Sequence, residues 1–370
     1  MSAGPDLSGR PPSPGTSGGP RVAAVRVTVP EHRYEQDLLT SAFAEGVLKD
    51  RPEAGRVLSK ISANSGVRTR NVALPVEDYP ALAGFTHSND TWLEHAMQLT
   101  ERALRDALAV AGIAPHEVDV VFSTTVTGLV VPSLEARLAQ RVGLREDVKR
   151  VPLFGLGCAA GAAGVARLHD YLRGFPGQVG VLLAVELCSL TVQHEDRSMA
   201  GLVAASLFGD GAAAVVMLGE QRGGSHAGPH VLATRSRLYP DSTDALGWRI
   251  GANGFTLVLS PDVPRIAEQG LPEDVAAFLA DHGLAPDQVG RWMCHPGGPK
   301  VIDVVERAFE LPQQALAHSR QSLAAHGNMS SVSVLDVLRM SLESAPANGS
   351  VGLMLAMGPG FASELVLLRW

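Results

Sequence analysis

Similar sequence segments occur twice in the chain and in the same order, and this repetition limits its possible folds more than any other feature of the sequence. The stretch "AGIAPHEVDVV" (111–121) is echoed by "HGLAPDQVGRW" (282–292), which places Pro115 and Pro286 171 residues apart. Gly-Leu-Ala-Pro is also a common way to end a helix, so this echo taken alone has a second explanation.

Two further echoes fall at almost the same spacing. "GVLLAV" (180–185) matches "GLMLAM" (352–357) at an offset of 172 residues. Between the anchors, "GLGCAAGAAG" faces "AAHGNMSSVS", so that Cys158 stands opposite Asn328, 170 residues later. A common helix end does not explain three echoes at nearly one spacing. The sequence therefore predicts an internal duplication in which each half forms one set of α/β layers.

Helical and strand patterns alternate within the first copy. From Thr91 to Val110 apolar residues recur at helical spacing, and the helix is predicted to end at Gly112. The segments that follow are predicted as strand (117–125), helix (133–144), strand (148–154), helix (158–172) and strand (179–186). Strands separated by helices pair in parallel, so this pattern predicts an α/β fold.

Length and composition narrow the class of protein. With 370 residues, 45% hydrophobic and 19% charged, the chain can bury a large core. Its formal net charge of −7 argues against nucleic acid or an anionic membrane as the main partner. Three cysteines without CxxC spacing favour a reduced, cytoplasmic protein. No apolar run has the roughly 18–20 residues of a membrane span, and neither zinc-ligand spacing nor a P-loop is present.

Two stretches of low complexity suggest how the chain is divided. The first twenty residues are rich in Pro, Gly and Ser and lack an apolar signal core, so a disordered tail is predicted at 1–20. A glycine-rich stretch at 219–230 is predicted to separate the halves. The first half is then 21–225 and the second 226–370.

Cys158 is the candidate nucleophile. It follows a predicted strand and begins a predicted helix, surrounded by glycine and alanine. Unpaired backbone N–H groups and the positive end of the helix dipole favour the thiolate, which predicts a pKa below about 8.5. The small neighbours are expected to leave the sulfur accessible to a bulky acyl group. A lone cysteine is more often a small buried side chain, but that role explains neither the glycine turn nor the match to Asn328.

Two polar residues of the second half are the candidate partners of the cysteine. His295 follows the predicted strand "RWMC" and could form an ion pair with a thiolate or donate to an oxyanion; a structural core histidine is the alternative. Asn328 begins a predicted helix, where an ordinary N-cap is the alternative. Imidazole and amide donors together can hold an oxyanion or enolate. The set therefore suits thioester chemistry, in which cysteine takes an acyl group, a β-carboxylate leaves as CO₂, and the enolate attacks the acyl-enzyme.

Three other interpretations fit parts of the pattern. "GLGCAA" (155–160), with Glu186 ending the next strand, matches the dinucleotide fingerprint of an NAD-dependent oxidoreductase, but gives Cys158 no role. The order Cys, His, Asn also occurs in papain-like proteases, whose local cysteine context is absent. A non-enzymatic protein that keeps the fold is disfavoured because all three candidate polar groups are present.

Five motifs together resemble one family. From about residue 21 to Trp370, the chain is similar to the type III polyketide synthases, the chalcone-synthase-like branch of the thiolase superfamily. This resemblance implies a thiolase-like duplicated αβαβα layered fold, a homodimer, and iterative decarboxylative condensation of malonyl-CoA onto an acyl-CoA starter. CoA thioesters are the substrates, and no other cofactor and no metal is implied. The motifs are "GLGCAAG", "LFGDGAAAVV", "CHPGGPKVID", "GNMSS" and "MGPGF".

The resemblance also implies roles for single residues. Cys158 would accept the acyl group, while His295 and Asn328 would hold the thioester carbonyl and the enolate. Phe208 matches the gatekeeper phenylalanine between the CoA tunnel and the cavity. The positions that match cavity-lining residues are Val126, Val131, Cys188, Thr191, Gly254 and Ser330.

A basic cluster near the tunnel mouth usually meets the CoA phosphates in this family. Arg56, Lys60 and Arg68 are the candidates here, and Asn64 stands where plant members carry a lysine. Solvation of an ordinary surface is the alternative explanation for these charges.

The product expected first is an alkylresorcinol or alkylpyrone. "VKRVPLFGLGC" and "VELCSLTVQ" look most like bacterial synthases that use long fatty acyl-CoA starters, and the small residues Val131, Cys188 and Gly254 suit an alkyl chain. The extender would be malonyl-CoA or methylmalonyl-CoA. The alternative is a tetrahydroxynaphthalene-type synthase that starts from malonyl-CoA itself, since Cys188 is thiol-bearing as in naphthalene-forming bacterial members.

Overall fold

The structure is a computed structural model that describes residues 18–193, 196, 198–222, 228–344 and 346–370. The tail predicted at 1–20 lies outside the described residues up to residue 17, and so does the predicted boundary at 225/226. Residues 18–20 are described, and the carbonyl of Pro20 accepts a hydrogen bond from the Val231 N–H at 2.8 Å. The chain is therefore held in place slightly before residue 21, where the tail was expected to end.

Thirteen strands and ten α-helices are present in the described part of the chain. The strands are β1 (Arg21–Thr28), β2 (His32–Glu35), β3 (Thr69–Val72), β4 (Val120–Thr124), β5 (Lys149–Leu153), β6 (Val179–Leu187), β7 (Asp210–Leu218), β8 (His230–Leu238), β9 (Leu246–Gly251), β10 (Gly254–Leu259), β11 (Arg291–Cys294), β12 (Val351–Gly358) and β13 (Ala362–Arg369). The helices are α1 (Gln36–Gly46), α2 (Pro52–Ala63), α3 (Gly84–Ala111), α4 (Leu134–Val142), α5 (Ala160–Gly174), α6 (Met199–Leu207), α7 (Val263–Ala280), α8 (Pro299–Ala308), α9 (Ala317–His326) and α10 (Ser331–Glu343).

The large sheet consists of two halves whose strands are paired in the same way from the middle of the sheet outward. From its middle outward it runs β1, β7, β6, β4, β5 on one side and β8, β13, β12, β11 on the other. In each half the outer pairs are parallel and the inner pairs antiparallel. The halves meet at β1 and β8, where Arg21 pairs with His230. The duplicated α/β fold expected from the sequence is thus confirmed.

The two copies of the first repeated stretch also share a pattern of hydrogen bonds. Pro115 begins a short 3-10 turn before β4, and Pro286 begins the matching turn before β11. In each turn the side chain of the third residue, Glu117 or Gln288, accepts a hydrogen bond at 2.8 Å from the N–H of the residue before the proline. The N–H before each proline therefore has a side-chain partner within the turn, and this contact helps to close the turn in both halves.

Helices α5 and α10 form the central layer. They contact each other, and each touches strands of both sheet halves. Helix α3 covers the outer face of the first half, and α7 covers that of the second. The layers are therefore α, β, α, β, α. Because a helix enclosed on all sides must be apolar or small all round, the Ala- and Gly-rich sequence of α5 follows from its position.

The predicted elements of the first half are present with shifted bounds. The helix expected from Thr91 begins earlier, at Gly84, and the helix expected from Cys158 starts as a 3-10 turn, Gly157–Ala159, that leads into α5. Among the described residues, no helix has both the length and the apolar character needed to cross a bilayer.

Candidate active site

The fold brings the three candidate catalytic residues together. Cys158 lies in the turn between β5 and α5, His295 directly follows β11, and Asn328 lies three residues before the start of α10. The Cys158 Sγ lies 3.7 Å from the Oγ of Ser330, two residues after Asn328. The Asn328 amide Nδ2 donates to the carbonyl of Gly297 at 3.3 Å, in the turn that begins with His295. The two halves therefore contribute facing turns to one site, as the duplication predicts.

The backbone of Ser330 is strained. Its φ of 48° and ψ of −124° lie in a region that glycine adopts readily and other residues rarely do. Such a conformation costs about 1–3 kcal/mol and persists only where its surroundings enforce it. Here the Ser330 N–H donates to the Asn328 Oδ1 at 2.8 Å, which fixes both the amide and the turn. The result is a serine hydroxyl directed at the Cys158 sulfur.

His295 is a buried and neutral imidazole. Its side chain is 4% exposed, and neither ring nitrogen has a hydrogen-bond partner among the described residues. Burial lowers its pKa to about 3. A buried polar atom without a partner requires an explanation. In the neutral imidazole one ring nitrogen is an acceptor and the other a donor, and neither is used by the described residues.

The expected lowering of the Cys158 pKa is wrong. Burial raises the pKa of this thiol to about 11, and the negative charge of Glu186 adds to the rise. Hydrogen bonds from Ser330 and Asn328 act in the opposite direction but are weaker than the loss of solvation. Desolvation of the sulfur outweighs the helix N-terminus at this position. The neutral forms of the Cys158 thiol and of the His295 imidazole are both favoured.

Glu186, which the sequence analysis named only for the dinucleotide alternative, lies next to the candidate site. It is the penultimate residue of β6, it is fully buried, and its Oε1 accepts from the Ser331 hydroxyl at 2.6 Å. Its Oε2 accepts from the Val126 N–H and the Thr127 hydroxyl, both at 3.1 Å. Burial raises its pKa to about 7. A carboxylate at the end of the otherwise apolar run "VLLAV" was the available signal, and it ties the start of α10 to the loop after β4.

A largely apolar cavity of about 150 Å³ lies beside these residues. Three of the sequence-predicted residues line it: Phe208, Cys188 and Thr191. Phe208 also reaches the catalytic turn, because Asn328 donates through its N–H to the Leu207 carbonyl at 2.8 Å and forms a β-bridge with Phe208. The cavity walls that the sequence interpretation missed are Leu39, Phe43, Val47, Arg70, Tyr79, Trp248 and Phe255.

Three of the expected lining positions lie away from this cavity of the chain. Val131 is 93% exposed and lies on a surface loop, so it does not line the cavity of its own chain. Gly254, with a φ of 108°, lies at a much smaller recess beside Phe85 and Gln193. Val126 is buried with its N–H bound to Glu186. The surroundings of these three residues in the folded chain determine where they lie. A residue-by-residue match with the family does not include those surroundings.

The expected phosphate-binding residues are all on the surface. Arg56 and Lys60 are exposed on α2, and Arg68 is exposed just before β3. Arg56 lies 3.7 Å from Glu53 and borders a shallow groove between α1 and α2. Their role in CoA binding stays a prediction. No group of three or more His, Cys, Asp or Glu side chains in the described part of the chain could hold a metal ion.

The glycine turn before Cys158 packs against protein. A Cβ on Gly157 would lie 2.6 Å from the ring of Pro359, and a Cβ on Gly161 would overlap the carbonyl oxygen of Ser331. This packing leaves no room for a dinucleotide pyrophosphate at the turn, while Cys158 itself stays partly exposed. The small residues also have a packing role. They allow the close approach of α5, α10 and the Gly-Pro-Gly loop.

Comparisons with known proteins agree with this geometry. The models "Chalcone and stilbene synthases, N-terminal domain" and "C-terminal domain" match residues 13–221 and 230–370. The chain is 52% identical over 355 residues to a 1,3,6,8-tetrahydroxynaphthalene synthase of Streptomyces peucetius subsp. caesius, covering 95% of this chain and 93% of that protein. It is 30% identical over 360 residues to a 3,5-dihydroxyphenylacetyl-CoA synthase of Streptomyces toyocaensis, covering 95% and 90%.

The fold has the same relatives. The crystal structure of 1,3,6,8-tetrahydroxynaphthalene synthase from Streptomyces coelicolor A3(2) superposes with a TM-score of 0.89 at 30% identity, covering 95% of this chain and 99% of that one. Its description calls it a bacterial type III polyketide synthase. With both family models matched across nearly the whole chain, this protein belongs to the chalcone and stilbene synthase family and is a chalcone synthase-like type III polyketide synthase, an acyltransferase.

Proposed function

We propose that the enzyme condenses malonyl-CoA, used both as starter and as extender, to 1,3,6,8-tetrahydroxynaphthalene. The observation that carries this proposal is the 52% identity to a synthase of that product, which extends over 95% of the chain. The ten carbons of the naphthalene skeleton correspond to five malonyl units that each lose one CO₂, so the carboxylate of the starter also leaves as CO₂ once extension is complete. This product, the alternative at the level of sequence motifs, becomes the first candidate.

The starter is loaded on Cys158. The neutral imidazole of His295 accepts the thiol proton as the sulfur attacks the thioester carbonyl of malonyl-CoA. The bond from that carbonyl to the CoA sulfur breaks, and CoA leaves as a thiol with the proton from His295. Concerted proton transfer suits this site, because burial disfavours a separated thiolate and imidazolium.

Each extension uses the same two neutral donors. The carboxylate of a second malonyl-CoA leaves as CO₂, and its electron pair forms an enolate whose oxygen accepts hydrogen bonds from His295 and the Asn328 amide. The enolate carbon then attacks the acyl carbonyl on Cys158, a carbon–carbon bond forms, and the sulfur leaves. The longer chain is now a CoA ester that reloads on Cys158. Neutral donors stabilise the enolate without holding the departing carboxylate in place.

Malonyl-CoA as the only substrate tests the proposal. Purified enzyme with radiolabelled malonyl-CoA is expected to form 1,3,6,8-tetrahydroxynaphthalene, detected by chromatography and mass, with release of CO₂ and CoA. Consumption of malonyl-CoA that gave only acetyl-CoA, or no reaction until another starter was added, would contradict the malonyl starter.

A fatty acyl-CoA starter is the second candidate. The apolar cavity walls Leu39, Phe43 and Val47 favour it, because an alkyl chain gains free energy when buried there. The same assay with hexanoyl-, decanoyl- and palmitoyl-CoA distinguishes the two candidates. Alkylresorcinols or alkylpyrones formed with a kcat/KM above that of the malonyl-only reaction would make the fatty chain the preferred starter.

We further propose that the enzyme is a homodimer in which the loop around Val131 is covered by a second copy. Three large apolar side chains are exposed in the segments that follow the paired strands β4 and β5: Leu129 at 39%, Val131 at 93% and Phe154 at 52%. Val131, which matches a cavity-lining position of the family, would then line the cavity of the partner and not that of its own chain. Val131→Asp is expected to shift the sedimentation of the protein towards that of a single chain, whereas Val110→Asp, at a separate exposed site, is not. A wild-type protein that sediments as one chain would contradict the proposal.

A further inference from the structure

We propose that Arg70 binds the carboxylate at the starter end of the growing chain, and thereby selects malonyl over alkyl starters. The inference rests on the malonyl starter proposed above. Arg70 follows the short run "GVRT" at β3, and no sequence motif indicated a role for it. In the structure its side chain is 5% exposed and lines the apolar cavity beside Phe208, Tyr79 and Cys188.

The guanidinium of Arg70 has N–H donors that are not used in hydrogen bonds to the described residues. Its Nε donates to the Gln36 Oε1 and its Nη1 to the Phe208 carbonyl, each at 2.9 Å. Its Nη2 makes no hydrogen bond to any residue that the structure describes, and no described carboxylate lies within ion-pair distance of the guanidinium. Two neutral oxygens therefore hold the cation in place without neutralising it. Asp210 attracts this cation from beyond ion-pair distance and compensates its burial only in part, so a ligand anion in contact with it would relieve the remaining cost.

The one buried carboxylate near Arg70 is already bonded elsewhere. Asp210 accepts from the N–H groups of Ala73 and Ser189 at 2.8 Å and from the Ser189 hydroxyl at 2.5 Å. The Ser189 hydroxyl is in turn 2.5 Å from the Tyr79 hydroxyl. Burial lowers the pKa of Arg70 to about 10, so the guanidinium keeps its charge at neutral pH. The described lining of the cavity therefore has one cationic residue, Arg70, and one acidic residue, Asp196.

A malonyl starter brings the matching anion. Its carboxylate is at the end opposite the thioester, and each condensation inserts two more carbons between that carboxylate and Cys158. The charged end must then move into the cavity, where a guanidinium can bind a carboxylate through two N–H donors. An alkyl starter presents a methyl group at the same place and leaves the cation unpaired. Arg70 thus favours a dicarboxylic chain.

The extender is not the ligand of Arg70. Its carboxylate must leave as CO₂, and pairing with a cation would stabilise the carboxylate before it leaves. Cys158, His295 and Asn328, where this step takes place, are not among the residues that line the cavity. Separate places for the two carboxylates let one be retained while the other is lost.

The test compares two acyl-CoA ligands of equal length in a Cys158→Ala background, where neither is consumed. Pimeloyl-CoA ends in a carboxylate and is as long as a malonyl chain after two condensations, and heptanoyl-CoA ends in a methyl group. Adding Arg70→Gln is expected to raise the Kd of pimeloyl-CoA about tenfold and to change that of heptanoyl-CoA less than about twofold. Arg70→Lys, which keeps the charge, should recover most of the pimeloyl affinity. Equal changes for both ligands would overturn the proposal.

Two controls separate ligand binding from a structural role. Gln36→Met removes the partner of the Arg70 Nε but keeps the cation, so the preference for pimeloyl-CoA should remain. If Arg70→Gln does not fold, the Arg70-containing protein still decides, because heptanoyl-CoA binding as tightly as pimeloyl-CoA would contradict a carboxylate site. If Arg70→Gln loses the preference for pimeloyl-CoA but wild type forms no naphthalene product, the proposed function is refuted and the carboxylate site at Arg70 stands. If wild type forms the naphthalene product but Arg70→Gln keeps the preference for pimeloyl-CoA, the site alone is refuted.

Discussion

Replacing Cys158 with alanine is expected to reduce formation of any condensed product by about 10⁴-fold or more, because no other group can carry the acyl chain. Decarboxylation of malonyl-CoA to acetyl-CoA should continue, since enolate stabilisation needs only His295 and Asn328. The two reactions are measured together by labelled CO₂ release and by chromatography of the condensed products. Mass spectrometry of wild type should find the acyl group on the peptide that contains Cys158.

The other two cysteines provide the matched controls. Cys188 lines the cavity, and Cys294 is buried, with its Sγ 3.6 Å from the His295 carbonyl. Cys188→Ala should retain condensation and change at most the product pattern. An acyl group found on Cys188, or condensation that survives in Cys158→Ala, would show that the nucleophile has been assigned to the wrong residue.

The pH dependence of alkylation tests the ionisation of the same thiol. Because burial raises the pKa of Cys158 to about 11, its thiolate fraction at neutral pH is small and grows about tenfold per pH unit. Iodoacetamide should therefore modify Cys158 faster at each step from pH 7 to pH 10. Ionisation of Glu186 near pH 7 adds a negative charge that opposes the thiolate at the start of that range. A rate independent of pH between 6 and 9 would indicate a preformed thiolate.

The duplication and the positions of the three candidate catalytic residues could be predicted from the sequence because they depend on local order. Strand ends and helix starts recur at one spacing, so matching Cys158 to Asn328 also places them on facing turns. The ionisation of Cys158 could not be predicted in the same way. The helix N-terminus is a local feature, whereas the burial that outweighs it comes from a central layer assembled from both halves.

Residues that act through tertiary contacts were the ones missed or misplaced. Nothing in the stretch "GVRTRNV" distinguishes Arg70 as a site residue, and only the folded chain places it in a cavity with Phe208. Val131 matched a lining position, yet its loop directs it to the surface of its own chain. The small residues beside Cys158 were correctly singled out, but they also have a role in helix packing. A sequence gives the size of a side chain, and the neighbour that requires that size becomes visible only in the fold.

Gly161→Ala is expected to lower both stability and activity strongly. A Cβ at this position would overlap the carbonyl oxygen of Ser331, and the Val334 and Leu335 side chains leave no space beside it. Backbone cannot move aside as a flexible side chain can, so α5 and α10 must separate, at a cost of about 3 kcal/mol. Because Cys158 precedes α5 and Ser330 precedes α10, the same separation moves the sulfur from the turn that holds Asn328. Thermal unfolding should show the loss of stability, and the condensation assay the loss of rate.

Gly174→Ala is the matched control, because Gly174 lies at the other end of the same helix and a Cβ there would have no atom within 4 Å. Alanine at this position reduces the conformational freedom of the unfolded chain and should stabilise the protein by about 0.5–1 kcal/mol, with the condensation rate unchanged. If Gly161→Ala unfolded at the wild-type temperature, the two central helices would not be in the contact that brings the halves of the site together. A lower melting temperature with full activity would instead mean that the helices can separate without moving Cys158 from Asn328, and that other contacts hold the catalytic turns.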